Sequence, residues 1–370
     1  EFSTRGRANL LRKALSSEDP TKSLKNSELK EALDLCLACK ACKSECPANV
    51  DMAKLKSEYL FQIRNAGSYV KSWHIKNLGY ILKIGSKAPD TFNFLQSSFL
   101  GRKLIGFERQ PPLLQKKSLS DWWSACKTNN EDCSTTVWVI VDIFTQYYDV
   151  SIGQDVLNLL KKCKVNIKVV FPKNSIVAMV SYGLLNEAKN ELKILHSQLN
   201  DAAKNDLIVG IEPSEVLVWR DEAKSLLNGR LPNVLLFEEL LLELDQLKVL
   251  PKFHALNTKV WVYEHCHQKS LAETENTIKL LELIPELQIE IVNGGCCGMA
   301  GEFGYKFPEI SDTIAHQSLD NYMSRVGKND VLVVTGTSCR KQILDIFSIR
   351  SIHWPQLFNN TIKMKVNIEE

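Results

Sequence analysis

The sequence predicts a multidomain protein in which a helical N-terminal unit precedes two tandem α/β units with parallel sheets. Two observations support this. Helical patterns dominate roughly the first 110 residues, and apolar runs with the character of buried strands recur after residue 136, separated by helical segments. Strands that alternate with helices imply crossover connections and therefore parallel sheets. A chain of 370 residues is long enough for two or three such domains.

The composition narrows the classes of function. Hydrophobic content of 44% and charged content of 24% are typical of a globular protein, and a formal charge of +3 gives no electrostatic reason to expect a nucleic-acid partner. We find no membrane-spanning run and no signal peptide, which favours the cytoplasm, including the inner face of its membrane. The eleven cysteines are clustered, which favours metal binding over a disulfide framework. Because the chain opens without a methionine, we expect either a fragment or one module of something longer.

The helical unit is predicted over residues 17–110. Residues 27–35 are strong helix formers with leucines near one face, and a second helix is predicted over 50–60, capped by Asn49 or Asp51. Helical patterns continue to about Leu104. The pair Pro111–Pro112 then ends them, so residues 111–132 are interpreted as a linker.

Between those two helices lies a run of four cysteines within eleven residues, closed by a proline: Cys36, Cys39, Cys42, Cys46 and Pro47. This spacing is typical of a segment that offers thiolates to a [4Fe–4S] cluster. Zinc is the alternative, although zinc sites usually use two separated pairs of cysteines. The fourth ligand stays open, because Cys46 either closes this cluster or faces a second site while a remote cysteine completes the first.

The α/β units are predicted over 133–250 and 251–370 because three segments of the first recur in the second. Their offsets are 123, 124 and 122 residues, which indicates two copies of one unit over about 137–245 and 258–360. The paired segments are 137–142 with 260–265, 204–209 with 328–333, and 167–170 with 289–292.

A second group of thiols follows the predicted strand ends of the second copy, where open α/β sheets build their sites. Its members are Cys266, Cys296, Cys297 and Cys339, and their counterparts in the first copy are Ile143, Asn174, Ser175 and Glu215. We interpret the group as a second metal or redox site; the alternative is buried structural cysteines.

Several neighbouring residues have two interpretations each. His265 and His267 flank Cys266 on expected opposite strand faces, so at most one would join the second site. Lys40 and Lys43 either offset the charge of a cluster or are ordinary surface lysines. The remaining cysteines lie in linker or helix contexts and are expected to be unligated: Cys126, Cys133 and Cys163.

Four segments together resemble a known family. The residues are 36–47, the doublet segment 294–305, residues 336–340 and the opening 2–12. They resemble the iron–sulfur half of the FAD-linked 2-hydroxy-acid oxidases, which act on D-lactate, glycolate, D-2-hydroxyglutarate or glycerol 3-phosphate. The paired α/β units resemble the cysteine-rich CCG domains that also occur in heterodisulfide reductase.

The resemblance implies a ferredoxin-like helical domain with one [4Fe–4S] cluster, and FAD on a missing domain or partner subunit that residues 1–16 would join. Electrons would then pass from the flavin to a quinone or a protein acceptor, with peripheral membrane association as a further expectation. Gly336 stands where fuller CCG units have a thiol, which argues against a large noncubane cluster of the heterodisulfide type. The alternatives for the second unit are a bound metal, zinc or iron–sulfur, a reduced redox site, and a purely structural role. The alternative functions are a heterodisulfide-reductase-like thiol/disulfide reductase acting at the second group of cysteines, and a zinc-stabilised interaction scaffold.

Overall fold

The computed structural model describes residues 2–64, 72–126 and 133–363. The end of the predicted linker, 127–132, and the last residues of the second α/β unit, 364–370, lie outside the described residues.

Helices make up the described part of the first 126 residues. They are α1 (Thr4–Leu15), α2 (Pro20–Ser23), α3 (Ser27–Asp34), α4 (Ala41–Glu45), α5 (Met52–Arg64), α6 (Trp73–Lys76), α7 (Leu78–Gly85), α8 (Pro89–Ser97), α9 (Phe99–Ile105) and α10 (Leu119–Ala125). The two helices expected around the four cysteines are confirmed as α3 and α5. Of the two expected caps, Asp51 makes the capping contact, because its carboxylate accepts a hydrogen bond from the Lys54 amide at 3.0 Å.

The segment 1–16 contains helix α1, which packs on α3. The Arg7 guanidinium donates hydrogen bonds to the carbonyls of Ala32 at 2.7 Å and Leu35 at 3.1 Å. These carbonyls lie at the C-terminal end of α3, where a cation stabilises the helix dipole. Arg7 therefore fixes the backbone immediately before Cys36.

The first α/β unit has a four-stranded parallel sheet in the order β2-β1-β3-β4. Its strands are β1 (Thr136–Ile140), β2 (Asn166–Val170), β3 (Leu207–Gly210) and β4 (Val234–Leu235). Its helices are α11 (Ile143–Tyr147), α12 (Val150–Lys162), α13 (Ile176–Ser181), α14 (Leu185–Gln198), α15 (Pro213–Arg220), α16 (Glu222–Leu226) and α17 (Phe237–Gln246), with a 3-10 turn at Leu199–Asp201.

The second α/β unit repeats this arrangement with a three-stranded parallel sheet in the order β6-β5-β7. Its strands are β5 (Lys259–Tyr263), β6 (Gln288–Ile291) and β7 (Val331–Val334). Its helices are α18 (Cys266–Leu271), α19 (Thr274–Leu281), α20 (Phe303–Lys306), α21 (Pro308–Met323), α22 (Thr337–Phe347) and α23 (Trp354–Lys363). Mixed α/β architecture with two parallel sheets, as the sequence predicted, is confirmed.

The repeat extends to individual hydrogen bonds. The Trp138 indole of β1 donates to Asp206 at 2.8 Å, and the Trp261 indole of β5 donates to Asp330 at 2.7 Å. Both aspartates precede the neighbouring strand of their sheet. The same tryptophan–aspartate hydrogen bond therefore joins the central strand to the start of the neighbouring strand in both units.

The two sheets share one hydrophobic core. Successive side chains of a strand point to opposite faces, and Val137 and Val139 of β1 lie in the same buried cluster as Val260 and Val262 of β5. Between the sheets, α12 packs against α23 and α17 against α19. The two units are thus joined through packed helices and one shared core, and strand ends of both units contact the helical unit.

Candidate metal centres

The four-cysteine segment, residues 36–46, receives hydrogen bonds on its thiols from backbone amides of the residues that follow it. Its chain is tightly wound, with Ala38 and Lys40 in the left-handed region at φ 52° and 63°. The Met52 amide donates to the Cys42 sulfur at 3.4 Å. Amides of Val50 and Ala48 lower the pKa of Cys46. Such N–H groups stabilise thiolates, so the local backbone suits an anionic sulfur site.

Burial and neighbouring thiols set the electrostatics of Cys39. Burial raises its pKa to about 11, the amide of Ala41 opposes this rise, and the charges of Cys266, Cys36 and Cys42 add to it. Cys39 therefore lies close enough to thiols of both predicted groups for their charges to affect its pKa. In the described ranges, no three His, Cys, Asp or Glu side chains converge so as to hold a metal ion. The fit of the segment to iron–sulfur ligation rests on its soft donors, its spacing and its amides.

The first α/β unit contacts this segment through the corner between α15 and α16. Asp221 accepts hydrogen bonds from Lys40 at 2.7 Å and Lys43 at 2.6 Å, and pairs with Lys54 at 2.5 Å. Lys40 also pairs with Glu222. Burial opposes ionisation of Asp221, but the three lysines outweigh burial and hold its pKa well below the ordinary value. Lys40 is only 2% exposed, so its interpretation as a surface lysine is wrong.

The second α/β unit contacts the same segment through α18. The Nε2 atom of His267 lies 2.9 Å from the carbonyl oxygen of Ala38, and the Ser270 hydroxyl donates to the carbonyl of Cys39 at 3.5 Å. Because a carbonyl only accepts hydrogen bonds, Nε2 carries the proton of His267. Residues 38–40 are thus held by both α/β units at once.

The predicted second thiol set (Cys266, Cys296, Cys297 and Cys339) is brought together at the carboxyl ends of β5, β6 and β7. The sulfurs of Cys297 and Cys339 lie 3.4 Å apart, and the Gly298 amide donates to Cys296 at 3.4 Å. A hydrogen bond with Cys296, together with burial, raises the pKa of Cys266 well above its ordinary value. The four thiols thus lie together on three adjacent strand ends, with Cys297 and Cys339 buried and the other two half-buried.

The prediction that His265 and His267 lie on opposite strand faces is wrong, because side chains two residues apart on a strand share one face and because neither histidine lies in a strand. Strand β5 ends at Tyr263, and His265 caps α18 by accepting the His267 amide on Nδ1 at 3.2 Å. The Nε2 atom of His265 lies 4.0 Å from the Cys266 sulfur. The helix begins so soon after the strand that His265 faces the second thiol set while His267 reaches the four-cysteine segment.

Sequence reasoning missed Lys269, which is half-buried beside the second thiol set. Its ammonium donates to the Gly294 carbonyl at 2.8 Å and lies 4.2 Å from the centre of the Tyr263 ring. The Tyr263 hydroxyl donates to the Gly295 carbonyl at 2.6 Å. These bonds fix the glycine turn before Cys296. Lys269 follows Cys266 by three residues on the same helix, and this spacing could have indicated that the two side chains lie on one helix face.

In the first unit, polar side chains occupy the positions that correspond to the thiols. The Ser175 hydroxyl donates to Glu215, which matches the Cys297–Cys339 pair. The Asn174 amide donates to the carbonyls of Ile75 at 3.1 Å and Lys76 at 2.7 Å. This edge of the first unit therefore binds the backbone of the helical unit.

The three remaining cysteines lie away from the strand ends. Cys163 follows α12 and is buried in the core shared by the two sheets, while Cys126 and Cys133 are half-buried beside the linker. That these three bind no metal stays a prediction.

The chain is similar to curated dehydrogenases. It is 31% identical over 341 residues to the D-2-hydroxyglutarate dehydrogenase of Escherichia coli (strain K12), covering 85% of this chain and 33% of that protein. The corresponding protein of Pantoea ananatis is 28% identical over 340 residues, with the same coverage. One component of the anaerobic glycerol-3-phosphate dehydrogenase of Escherichia coli (strain K12) is 22% identical over 258 residues, covering 67% of this chain and 65% of that component.

These relatives confirm the resemblance to the 2-hydroxy-acid dehydrogenases. The chain spans one third of the length of the D-2-hydroxyglutarate dehydrogenases it matches. No family model and no solved structure matches the chain. None of the described helices is both long and apolar enough to cross a bilayer.

Proposed function

We propose, from its relation over 85% of its length to the D-2-hydroxyglutarate dehydrogenases, that this chain is the electron-transfer module of a flavin-dependent 2-hydroxy-acid dehydrogenase. The whole enzyme would oxidise a CH–OH donor at FAD carried by another part of the polypeptide or by a partner subunit. This module would deliver the electrons to a quinone or an electron-transfer protein. Residues 17–110 would form a ferredoxin-like domain, 133–250 and 251–370 the CCG-type units, and 1–16 the connection to the flavin part.

The observation that carries the proposal is the four-cysteine segment held between both α/β units. Cys36, Cys39, Cys42 and Cys46 would hold a [4Fe–4S] cluster, which transfers single electrons when bound. The amides around Cys42 and Cys46 donate to the sulfurs, and such hydrogen bonds help to set a cluster's reduction potential. The rest of the protein would position these thiolates.

Cys42→Ser is expected to remove most of the iron. Anaerobically purified parent protein should contain about four irons and four sulfides per chain and give the EPR signal of a reduced cubane cluster after dithionite. The serine hydroxyl is a poor ligand for iron, so the variant should lose that signal. Cys163→Ser, which changes a core thiol outside the segment, is the control and should retain the iron. A parent protein that contains zinc and no iron would refute the proposal.

We also propose that the second thiol set binds a further metal, either zinc or an iron–sulfur group. Its ligands would be Cys266, Cys296, Cys297 and Cys339, with His265 beside them. Cys297→Ser distinguishes the cases by metal content and EPR. Unchanged iron with loss of zinc would identify a zinc site. Near eight irons in the parent, falling to about four in the variant, would identify a second cluster. Metal content equal to the parent would exclude ligation by Cys297.

The 3.4 Å separation of the Cys297 and Cys339 sulfurs favours one alternative function, a thiol/disulfide reductase. These two thiols would lose two electrons and two protons to form a disulfide, while a substrate disulfide gains them and becomes two thiols. Dithionite, acting through the cluster, would supply the two electrons that regenerate the two thiols, and water would supply the two protons. Turnover of a disulfide substrate with dithionite as donor and without flavin, abolished by Cys339→Ser, would support this function over the electron relay. A zinc-stabilised scaffold would show neither iron nor turnover.

We place the protein in the cytoplasm, associated peripherally with the inner face of the membrane through an apolar tip on α8 and α9. The tip comprises Phe94, Leu95, Phe99, Leu100 and Leu104, and four of its side chains are 71–89% exposed. The surrounding segment 72–110 contains six lysines and arginines but two acidic residues. Exposed apolar residues beside cations suit an anionic lipid surface, the place where a quinone acceptor would be met.

The double variant Phe94→Ser/Phe99→Ser is expected to weaken vesicle binding by at least about tenfold, because two aromatic anchors are lost. The measurement is co-sedimentation with phosphatidylcholine vesicles that contain or lack phosphatidylglycerol. Leu344→Ser, on exposed α22, is the control. Two results would contradict the assignment of this surface to lipid. One is parent protein that binds equally well with and without phosphatidylglycerol, and the other is parent protein that self-associates but does not bind vesicles.

A further inference from the structure

The backbone on either side of Cys39 has an unusual conformation that the surrounding protein must maintain. Ala38 and Lys40 both have positive φ angles although neither is glycine. A residue with a side chain incurs a steric penalty in this region, and such conformations persist where neighbouring contacts impose them. Two left-handed residues that flank one cysteine fix the path of the chain through its thiol.

Each of these two residues is held by a different α/β unit. From the first unit, Asp221 and Glu222 bind the buried ammonium of Lys40. From the second unit, His267 donates to the Ala38 carbonyl at 2.9 Å. The His267 hydrogen bond is directional and acts on the Ala38 carbonyl itself, whereas the ion pair acts on the side chain of Lys40. His267 is therefore the group that sets the orientation of the peptide before Cys39.

Helix α18 also carries a thiol of the second set. Cys266 is its first residue, His267 its second and Ser270 its fifth. The serine hydroxyl reaches the Cys39 carbonyl at 3.5 Å. A movement of Cys266 is therefore transmitted through less than two helical turns to the backbone of Cys39.

We propose that His267 is a positioning residue that fixes Cys39 relative to Cys266, so that the four-cysteine segment and the second thiol set respond to each other. In the iron-loaded protein this inference rests on the proposed function. The inference extends the proposed function, because the environment of the cluster would depend on His267, which is not a ligand. It also assigns the left-handed turn at Ala38 to a contact made by the second α/β unit.

The test uses the full chain with His267→Ala, His267→Gln and His316→Ala. Glutamine retains an N–H donor for the Ala38 carbonyl, and His316 is an exposed histidine on α21. Redox titration followed by EPR should show a shifted midpoint potential and altered g values in His267→Ala. The parent values should return in His267→Gln and remain in His316→Ala. A folded His267→Ala protein with the parent potential and spectrum would overturn the inference.

A metal-free readout separates this inference from the proposed function. In chelator-treated, reduced protein, alkylation of Cys39 followed by peptide mass spectrometry should be roughly fivefold faster in His267→Ala, the factor that corresponds to one hydrogen bond. Alkylation of Cys163 should not change. Equal rates at Cys39 would overturn the positioning role even if the parent binds iron, whereas a parent without iron overturns only the electron relay.

Discussion

Asp221→Asn is expected to destabilise the protein by about 3–5 kcal/mol, because it leaves buried Lys40 with an incomplete set of acceptors. Asp221 is 4% exposed and pairs with Lys40, Lys43 and Lys54. In the variant Lys40 keeps only Glu222, and the ammonium groups of Lys43 and Lys54 face a neutral amide. Loss of a buried ion pair costs far more than loss of an exposed one. Urea unfolding followed by circular dichroism measures the change, and Asp34→Asn, which breaks the exposed Lys30–Asp34 pair, should cost less than about 1 kcal/mol.

The pH dependence gives a second readout of the same carboxylate. Its pKa in the folded protein is lowered, so the unfolded state binds more protons and the stability from Asp221 is lost as the pH falls below about 4. The parent should therefore lose more unfolding free energy than Asp221→Asn between pH 7 and about pH 3. Parallel acid profiles for the two proteins would contradict the ion network.

Glu238→Gln is expected to gain stability relative to the parent by about 2–4 kcal/mol as the pH rises from 5 to 8. Glu238 lies in the first turn of α17, is 3% exposed and accepts a hydrogen bond from Gln268. Burial raises the pKa of its carboxyl from 4.5 to about 8, and the charges of Glu239 and Glu264 add to the rise. Between these two values the unfolded state ionises and the folded state does not, so the parent loses stability with rising pH.

Thermal or urea unfolding of both proteins at several pH values tests this expectation. Glu58→Gln, which makes the same chemical change on the exposed surface of α5, is the matched control and should differ from the parent by a constant amount. A constant difference between Glu238→Gln and the parent across the same range would show that this carboxyl ionises in the folded protein as freely as in the unfolded one.

The strands and their repeat were predictable because buried parallel strands are continuous apolar runs. The offset between Val137 and Val260 aligned the remaining strands, and it placed the second thiol set on three adjacent strand ends. Periodicity also placed α3 and α5 around the four cysteines. These features depend on local pattern, which one sequence contains.

The contacts that hold the four-cysteine segment were not predictable in this way. Lys40 and Asp221 are 181 residues apart, and each is an ordinary surface type of residue. The left-handed backbone at Ala38 gives no compositional signal, because alanine usually favours helix. The histidines on either side of Cys266 were treated as strand residues because an apolar run precedes them, although α18 begins at Cys266, and this error concealed the contact of His267.

Two equivalent units in one chain are the signature of a duplication in which the copies then diverged. At the strand end after β2, Asn174 donates to the carbonyls of Ile75 and Lys76, and its own side-chain oxygen accepts the Gly79 amide at 3.3 Å. A cysteine at 174 could not replace these bonds, so several backbone groups would lose their partners together. The residues that replace the thiols in the first copy therefore anchor the helical unit at Ile75, Lys76 and Gly79, whereas the equivalent strand ends of the second copy carry the thiols.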